Sequence, residues 1–225
     1  MEFLSSFFAE YGSMLAQGTW DSVLMTALST LLAYGAGIPL GVLLVITSPT
    51  GLHPHRVFNG VLGWLINIGR SIPFIILVVA MIPLTRAIAG TSLGVQGAVV
   101  PLTAAAAPFV ARMVEQSLSE VDGGLVEAAQ SFGSSLLQIV FQVYLRESLP
   151  GLIRGASITF ITLFGFVAMA GMVGAGGIGD IAIRYGYQRY QYDVMIASVL
   201  ICILLVQIVQ SLANGVARAI DKRVR

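Results

Sequence analysis

The chain has 225 residues, 56% of them hydrophobic and 10% charged, with 12 Lys and Arg against 11 Asp and Glu. Soluble domains carry roughly a quarter charged residues, so this composition and a mean hydropathy of +0.88 exclude an ordinary water-soluble domain. The single cysteine, Cys202, cannot form an intrachain disulfide, and His53 and His55 share a short turn with no third ligand nearby, so neither a metal nor a cofactor is expected.

The charges are segregated along the chain. Residues 1–19 contain no Lys or Arg and read as an extracytoplasmic segment without the basic start or cleavage site of a signal peptide. Residues 22–55, 87–111, 155–179 and 194–217 contain no Lys, Arg, Asp or Glu at all. A bilayer core takes about 20 apolar residues in helical form, so each run predicts a transmembrane helix, at roughly 20–46, 93–113, 152–172 and 194–212. Residues 57–83 are apolar except for Arg70, in "NIGRSIPFIILVVAMIP". Neither half is long enough alone, and one helix is expected, with Arg70 facing protein or water. An Arg at a helix centre costs roughly 2.5–3.5 kcal/mol on insertion scales, so Arg70 predicts a partner, either Glu115 or a backbone carbonyl. A structural and a gating role for it both remain open.

The expected fold is an all-α polytopic membrane protein with five spans. Placing the N-terminus outside and the C-terminus inside puts eight of the eleven positive charges outside the spans in the cytoplasm, as the positive-inside rule requires. Residues 216–225 then form a basic cytoplasmic tail.

Between the third and fourth spans lies the longest non-spanning stretch, about 118–149. Apolar residues recur at Val121, Leu125, Ala128, Phe132, Leu136, Ile139 and Val143, which is helical spacing with a polar opposite face. Gly133, Ser134 and Ser135 predict a break in its middle, and Pro150 suits the first turn of the fourth span.

Residues 174–179, "GAGGIG", have the spacing of a dinucleotide-binding loop. Such a loop works only between a strand and a helix in a βαβ unit, whereas here it follows a spanning helix. The chain's one lysine, Lys222, follows Asp221, so no Walker A loop exists and any ATP hydrolysis belongs to another chain. Gly174, Gly176, Gly177 and Gly179 instead read as a helix end, either a flexible cap or irregular backbone beside a gate or substrate path.

"LVEAAQSFG" followed by "SLP" resembles the EAA loop of binding-protein-dependent ABC importer permeases. "RSIPFIILVVAMIPLTR", "GTSLGVQGAVVPLTAAAAPFVARMVE" and "GAGGIGDI" extend the likeness to the methionine importer permeases, a type I permease fold over residues 20–215. Two departures stand out: Arg146 occupies a position where proline is common, and Ser134 one where alanine is usual. The resemblance implies a homodimer enclosing a path, two ATP-binding cassette subunits, an extracytoplasmic substrate-binding protein, and the bacterial inner membrane. It implies no catalytic residue and no nucleic acid. Glu127, Ala128, Ala129 and Gly133 are then the coupling residues: the acid pairs with a basic group of the ATPase, the alanines allow close packing, and the glycine makes the turn. Met169, Met172 and Phe164, with Arg70, are the residues expected at a substrate path or gate. A thioether substrate suits the methionines; another small solute, such as a phosphonate or polar amino acid, fits the same architecture. An intramembrane hydrolase finds no nucleophile with a base, and an uncoupled channel has no use for an EAA-bearing helix.

Overall fold

The computed structural model describes residues 2–220. Lys222, Arg223 and Arg225 of the expected basic tail lie outside the described residues. All regular structure among the described residues is helical. Helix α1 (Glu2–Ile46) is followed by α2 (Arg56–Ser71), α3 (Phe74–Ala80), α4 (Ile82–Ala89), α5 (Gly94–Ser119), α6 (Gly123–Ser131), α7 (Leu136–Gln138), α8 (Leu145–Glu147), α9 (Leu149–Gly171), α10 (Gly177–Ile181) and α11 (Tyr192–Ile220). Two π-helical turns, Ile139–Tyr144 and Ala182–Tyr187, join α7 to α8 and extend α10.

Four helices are long and apolar enough to cross a membrane, those holding the first, third, fourth and fifth expected spans. The second differs from expectation. Instead of one helix, α2 and α3 meet at Ile72–Pro73 with a bend of 96°, and they count as a fifth span only if taken together. The cause is local: Pro73 has no N–H to give and bars the helical conformation of the residue before it. The first span also differs. The segment 1–19 is helical and continuous with the span, because α1 runs unbroken from Glu2 through 45 residues. At 1.5 Å per residue it is about 68 Å long, more than twice a bilayer core of about 30 Å.

The described residues divide into two compact units, 2–31, 72–105 and 160–209 in one, and 32–71, 106–159 and 210–220 in the other. The first is built on a cluster of Leu15, Phe164, Ile178, Ile181 and Val194, with Phe166 stacked on Phe74 at 4.7 Å between ring centroids. In the second, Leu44, Ile66 and Ala111 form the core. There Gly37 and Gly41 sit where any Cβ would meet Val110 and Val114, so α1 and α5 approach as closely as a G-x-x-x-G pair permits. Helix α11 buries Val194 and Ser198 but exposes Ile196, Val199, Leu200, Ile203, Leu204, Ile208 and Leu212 along its other side, as a helix facing lipid does.

Candidate functional site

The segment after α5 is shaped by its caps. The Asp122 carboxylate accepts from the Gly124 N–H at 2.8 Å and starts α6. At the other end the Gly133 N–H donates to Gln130 O at 2.9 Å and the Ser134 N–H to Ala129 O at 3.1 Å. That pair of bonds is a Schellman motif, and it needs a left-handed residue at its turn; Gly133 supplies one with φ +75°. Ser135 then opens α7 with a reciprocal capping box to Gln138. The expected break therefore falls where it was placed, and both flanking helices have their ends satisfied. Arg146 lies within α8, so the departure from proline leaves the helical run intact. Pro150 is the second residue of α9.

Only one side of α6 is covered. Val121 and Val126 are buried, while Leu125 and Phe132 are exposed, Phe132 to 90%. Glu127 and Ala128 are exposed and Ala129 is half-buried. Leu125, Ala128 and Phe132 are three and four residues apart and so share one face. Behind α6 lies a cavity of about 480 Å3, lined among others by Ser48, Thr50, Glu127, Gln130 and Tyr144. Glu127 is the one carboxylate among the residues lining it, and burial pushes the Tyr144 phenol above its ordinary range. His55 is part of the turn before α2, where its Nδ1 accepts from the Phe58 N–H at 3.1 Å and caps that helix.

The expected Arg70–Glu115 pair does not form. Glu115 pairs with Arg112 at 2.7 Å, one turn away on α5. Arg112 also donates to Gly63 O at 3.0 Å and to Asn67 Oδ1 at 3.1 Å, tying α5 to α2. Arg70 is exposed and its side chain has neither a hydrogen bond nor an ion pair among the described residues. The reason is spacing: Arg112 and Glu115 are i,i+3 on one helix, a local pairing that needs no tertiary reach.

The glycine segment closes the end of α9. Gly174, Gly176 and Gly177 all have positive φ. After this turn α10 packs back on α9 so closely that a Cβ on Gly179 would run into the Ala168 backbone. The Ile178 N–H donates to the buried Ser22 hydroxyl at 2.8 Å, a contact from α1 that no sequence pattern announced. Of the expected path residues, Met169 and Met172 are exposed, at 47% and 63%, and Phe164 is buried in the first unit's core.

Residues 37–225 match the family described as "Binding-protein-dependent transport system inner membrane component". The chain belongs to this permease family. It is 46% identical over 220 residues to the probable D-methionine transport system permease of Vibrio cholerae, covering 98% of both chains. It is 43% identical over 210 residues to that of Haemophilus influenzae, covering 93% of this chain and 99% of the relative. A chain of the inward-facing MetNI methionine ABC transporter superposes with a TM-score of 0.93 at 45% identity, over 95% of this chain and 99% of that one. The protein is thus a polytopic all-α permease subunit of an ABC importer, and in this transporter class ATP hydrolysis resides on a separate subunit.

Proposed function

We propose that two copies of this permease form the inner-membrane path for methionine or a closely related amino acid, driven by two ATPase subunits and supplied by an extracytoplasmic binding protein. The carrying observation is the capped α6–α7 hairpin, whose EAA sequence leaves Leu125, Ala128 and Phe132 uncovered outside any spanning helix. A soluble segment keeps such a face exposed for a partner. The methionine relatives support the substrate assignment.

In this reading the N-terminus is outside and the C-terminus inside, and α2 with α3 makes the fifth, broken span. ATP-driven closure of the ATPases carries α6 with it, Glu127 meeting a basic group and Phe132 entering a groove. Because Gly133 and the capping box fix the hairpin's shape, the movement reaches α9 through the continuous run from Leu136 rather than being absorbed in a loose turn. Each ligand shifts the inward–outward equilibrium only by its unequal affinity for the two states. Met169 and Met172 face the path, and the glycine segment frames its outer end.

The test is affinity purification of a C-terminally tagged permease from its native host in mild detergent. An ATPase at one-to-one stoichiometry, lost in Gly133→Pro, and ATP-driven uptake of radiolabelled methionine by the reconstituted complex support the proposal. A permease that repeatedly purifies alone would remove the coupling claim.

A further inference from the structure

Helices α3 and α4 and the start of α5, all in the first unit, enclose a cavity of about 140 Å3. One wall is the glycine segment, contributed by Val173 and Ala175. That wall is fixed by the Gly94 N–H, which donates to Gly174 O at 3.0 Å. Glycine at 174 also leaves room for the Leu93 side chain, which any Cβ there would meet.

The polar lining is unbalanced. Arg86 is the one charged residue among those lining the cavity. Its Nε donates to Ser92 Oγ at 3.1 Å, and no acidic group pairs with the guanidinium among the described residues. Thr85, the preceding residue, is 2% exposed, and its hydroxyl has no hydrogen-bond partner among the described residues. Buried polar groups are nearly always bonded, so an orphan hydroxyl on a cavity wall points to a missing occupant. An unpaired guanidinium beside it favours a carboxylate, which accepts from several N–H groups at once.

Size and the remaining lining narrow the occupant further. Drug-sized ligands take roughly 300–1,000 Å3, so this cavity is too small for an oligosaccharide or a peptide. Val78, Ile82 and Pro101 make its other surfaces apolar. We infer that this cavity is a binding subsite for a small amino acid with an apolar side chain, Arg86 and Thr85 holding its carboxylate. The inference rests on the transport reading above and adds the groups that select the substrate's head. Arg86 is exposed, so the carboxylate reaches it first and the side chain follows into the apolar part.

The test uses the whole complex, permease with its ATPase and binding protein, in proteoliposomes. Leu93→Cys in a Cys202→Ser background places a reporter thiol on the cavity wall, where Leu93 is 59% exposed. Ile82→Cys, half-buried on another wall, is the second reporter should the first disturb folding. Alkylation by a water-soluble maleimide is timed with L-methionine, D-methionine or L-leucine present, and with methionine methyl ester, which has no carboxylate.

At least one of the three amino acids should slow labelling about fivefold, while the ester should not. Arg86→Gln should abolish the protection and Arg86→Lys restore part of it. Thr85→Val should raise the concentration needed about tenfold, the worth of one hydrogen bond to a charged group. Uptake of radiolabelled methionine by the unsubstituted complex is followed in parallel. Uptake without any protection overturns the subsite and leaves the transport reading standing. Protection equal with acid and ester, or unchanged in Arg86→Gln, overturns the carboxylate assignment. Absence of ATP-driven uptake removes the transport reading, and the labelling result then judges the cavity on its own.

Discussion

Ser22 and Ile178 stand 156 residues apart in sequence and share one hydrogen bond, 2.8 Å long, from a backbone N–H to a fully buried hydroxyl. The donor is the second residue of α10, where a helix has no carbonyl of its own to offer that N–H. Ser22 therefore satisfies from α1 what the glycine turn leaves open. Ser22→Ala should cost about 1–3 kcal/mol, the penalty for a buried donor left unpaired. Thermal unfolding of the purified permease in nanodiscs measures it, and a melting temperature unchanged from the parent would show that the bond carries no weight.

Two glycines separate close approach from mere helix content. Gly179 lies against the Ala168 backbone, whereas Gly60, in α2, has nothing within reach of an added Cβ. Gly179→Ala should force α10 off α9 and lower folded yield severely, since backbone cannot move aside as a flexible side chain can. Gly60→Ala should instead be neutral or stabilise by about 0.5–1 kcal/mol, through helix propensity and a less free unfolded chain. The comparison is read by gel-filtration recovery and thermal unfolding of the two variants side by side.

These contacts mark where the sequence stopped being informative. Charge-free runs place the long helices because lipid excludes charge over a fixed length, and α5, α9 and α11 each contain most of an expected span, although α5 and α11 run six and eight residues past its C-terminal end. The helical continuation of α1 back to Glu2 was hidden, since Lys and Arg counts report the side of a segment and not its conformation. Pro73 was visible, yet hydropathy averages over direction, so a 96° bend between two apolar halves reads as one span. The break at Gly133 was legible because capping and turn chemistry are local. Glu115's pairing with Arg112 is also local, three residues along one helix, whereas Arg112's reach to Gly63 and Asn67, and Ser22's reach to Ile178, are tertiary facts with no local signature.

Arg112 offers a test of which of its contacts matters. Its ion pair with Glu115 leaves both side chains more than a quarter exposed, and such pairs contribute about 0–1 kcal/mol. Its bonds to Gly63 O and Asn67 Oδ1 join two helices and depend on the planar fork of the guanidinium. Arg112→Lys should thus destabilise more than Glu115→Gln, by about 1–2 kcal/mol against less than about 1. Chemical unfolding of both variants decides it, and the reverse order would make the ion pair the principal contact.

Phe132 should be the residue by which the ATPase is held. It is 90% exposed at the C-terminal end of α6, beside Gly133, and interface energy concentrates in a few large buried anchors. Phe132→Ala should weaken ATPase binding by at least about 2 kcal/mol, some thirtyfold, while leaving the isolated permease's unfolding free energy within about 0.5 kcal/mol of the parent. Leu125→Ala, on the same face but 45% exposed, should cost less. Titration of ATPase onto immobilised permease gives both affinities. Equal binding by Phe132→Ala and parent would shift the contact to Glu127 or elsewhere on the hairpin.

Arg70 is an exposed charge in an otherwise apolar stretch, residues 57–83. It sits in the last turn of α2, where a cation suits the negative end of the helix, yet no group of this chain pairs with it among the described residues. Within a single permease its loss should therefore change little: Arg70→Gln should unfold within about 0.5 kcal/mol of the parent. In the assembled transporter the same substitution should slow ATP-driven uptake if α2 with α3 forms the proposed broken span, because a charge within a span is kept only where a partner or a water-filled space meets it. Parallel measurement of unfolding in the lone subunit and of uptake in the complex separates these roles. Reduced stability in the lone subunit would mean that Arg70 has an in-chain partner after all. Unaltered uptake would mean that it serves only the helix end.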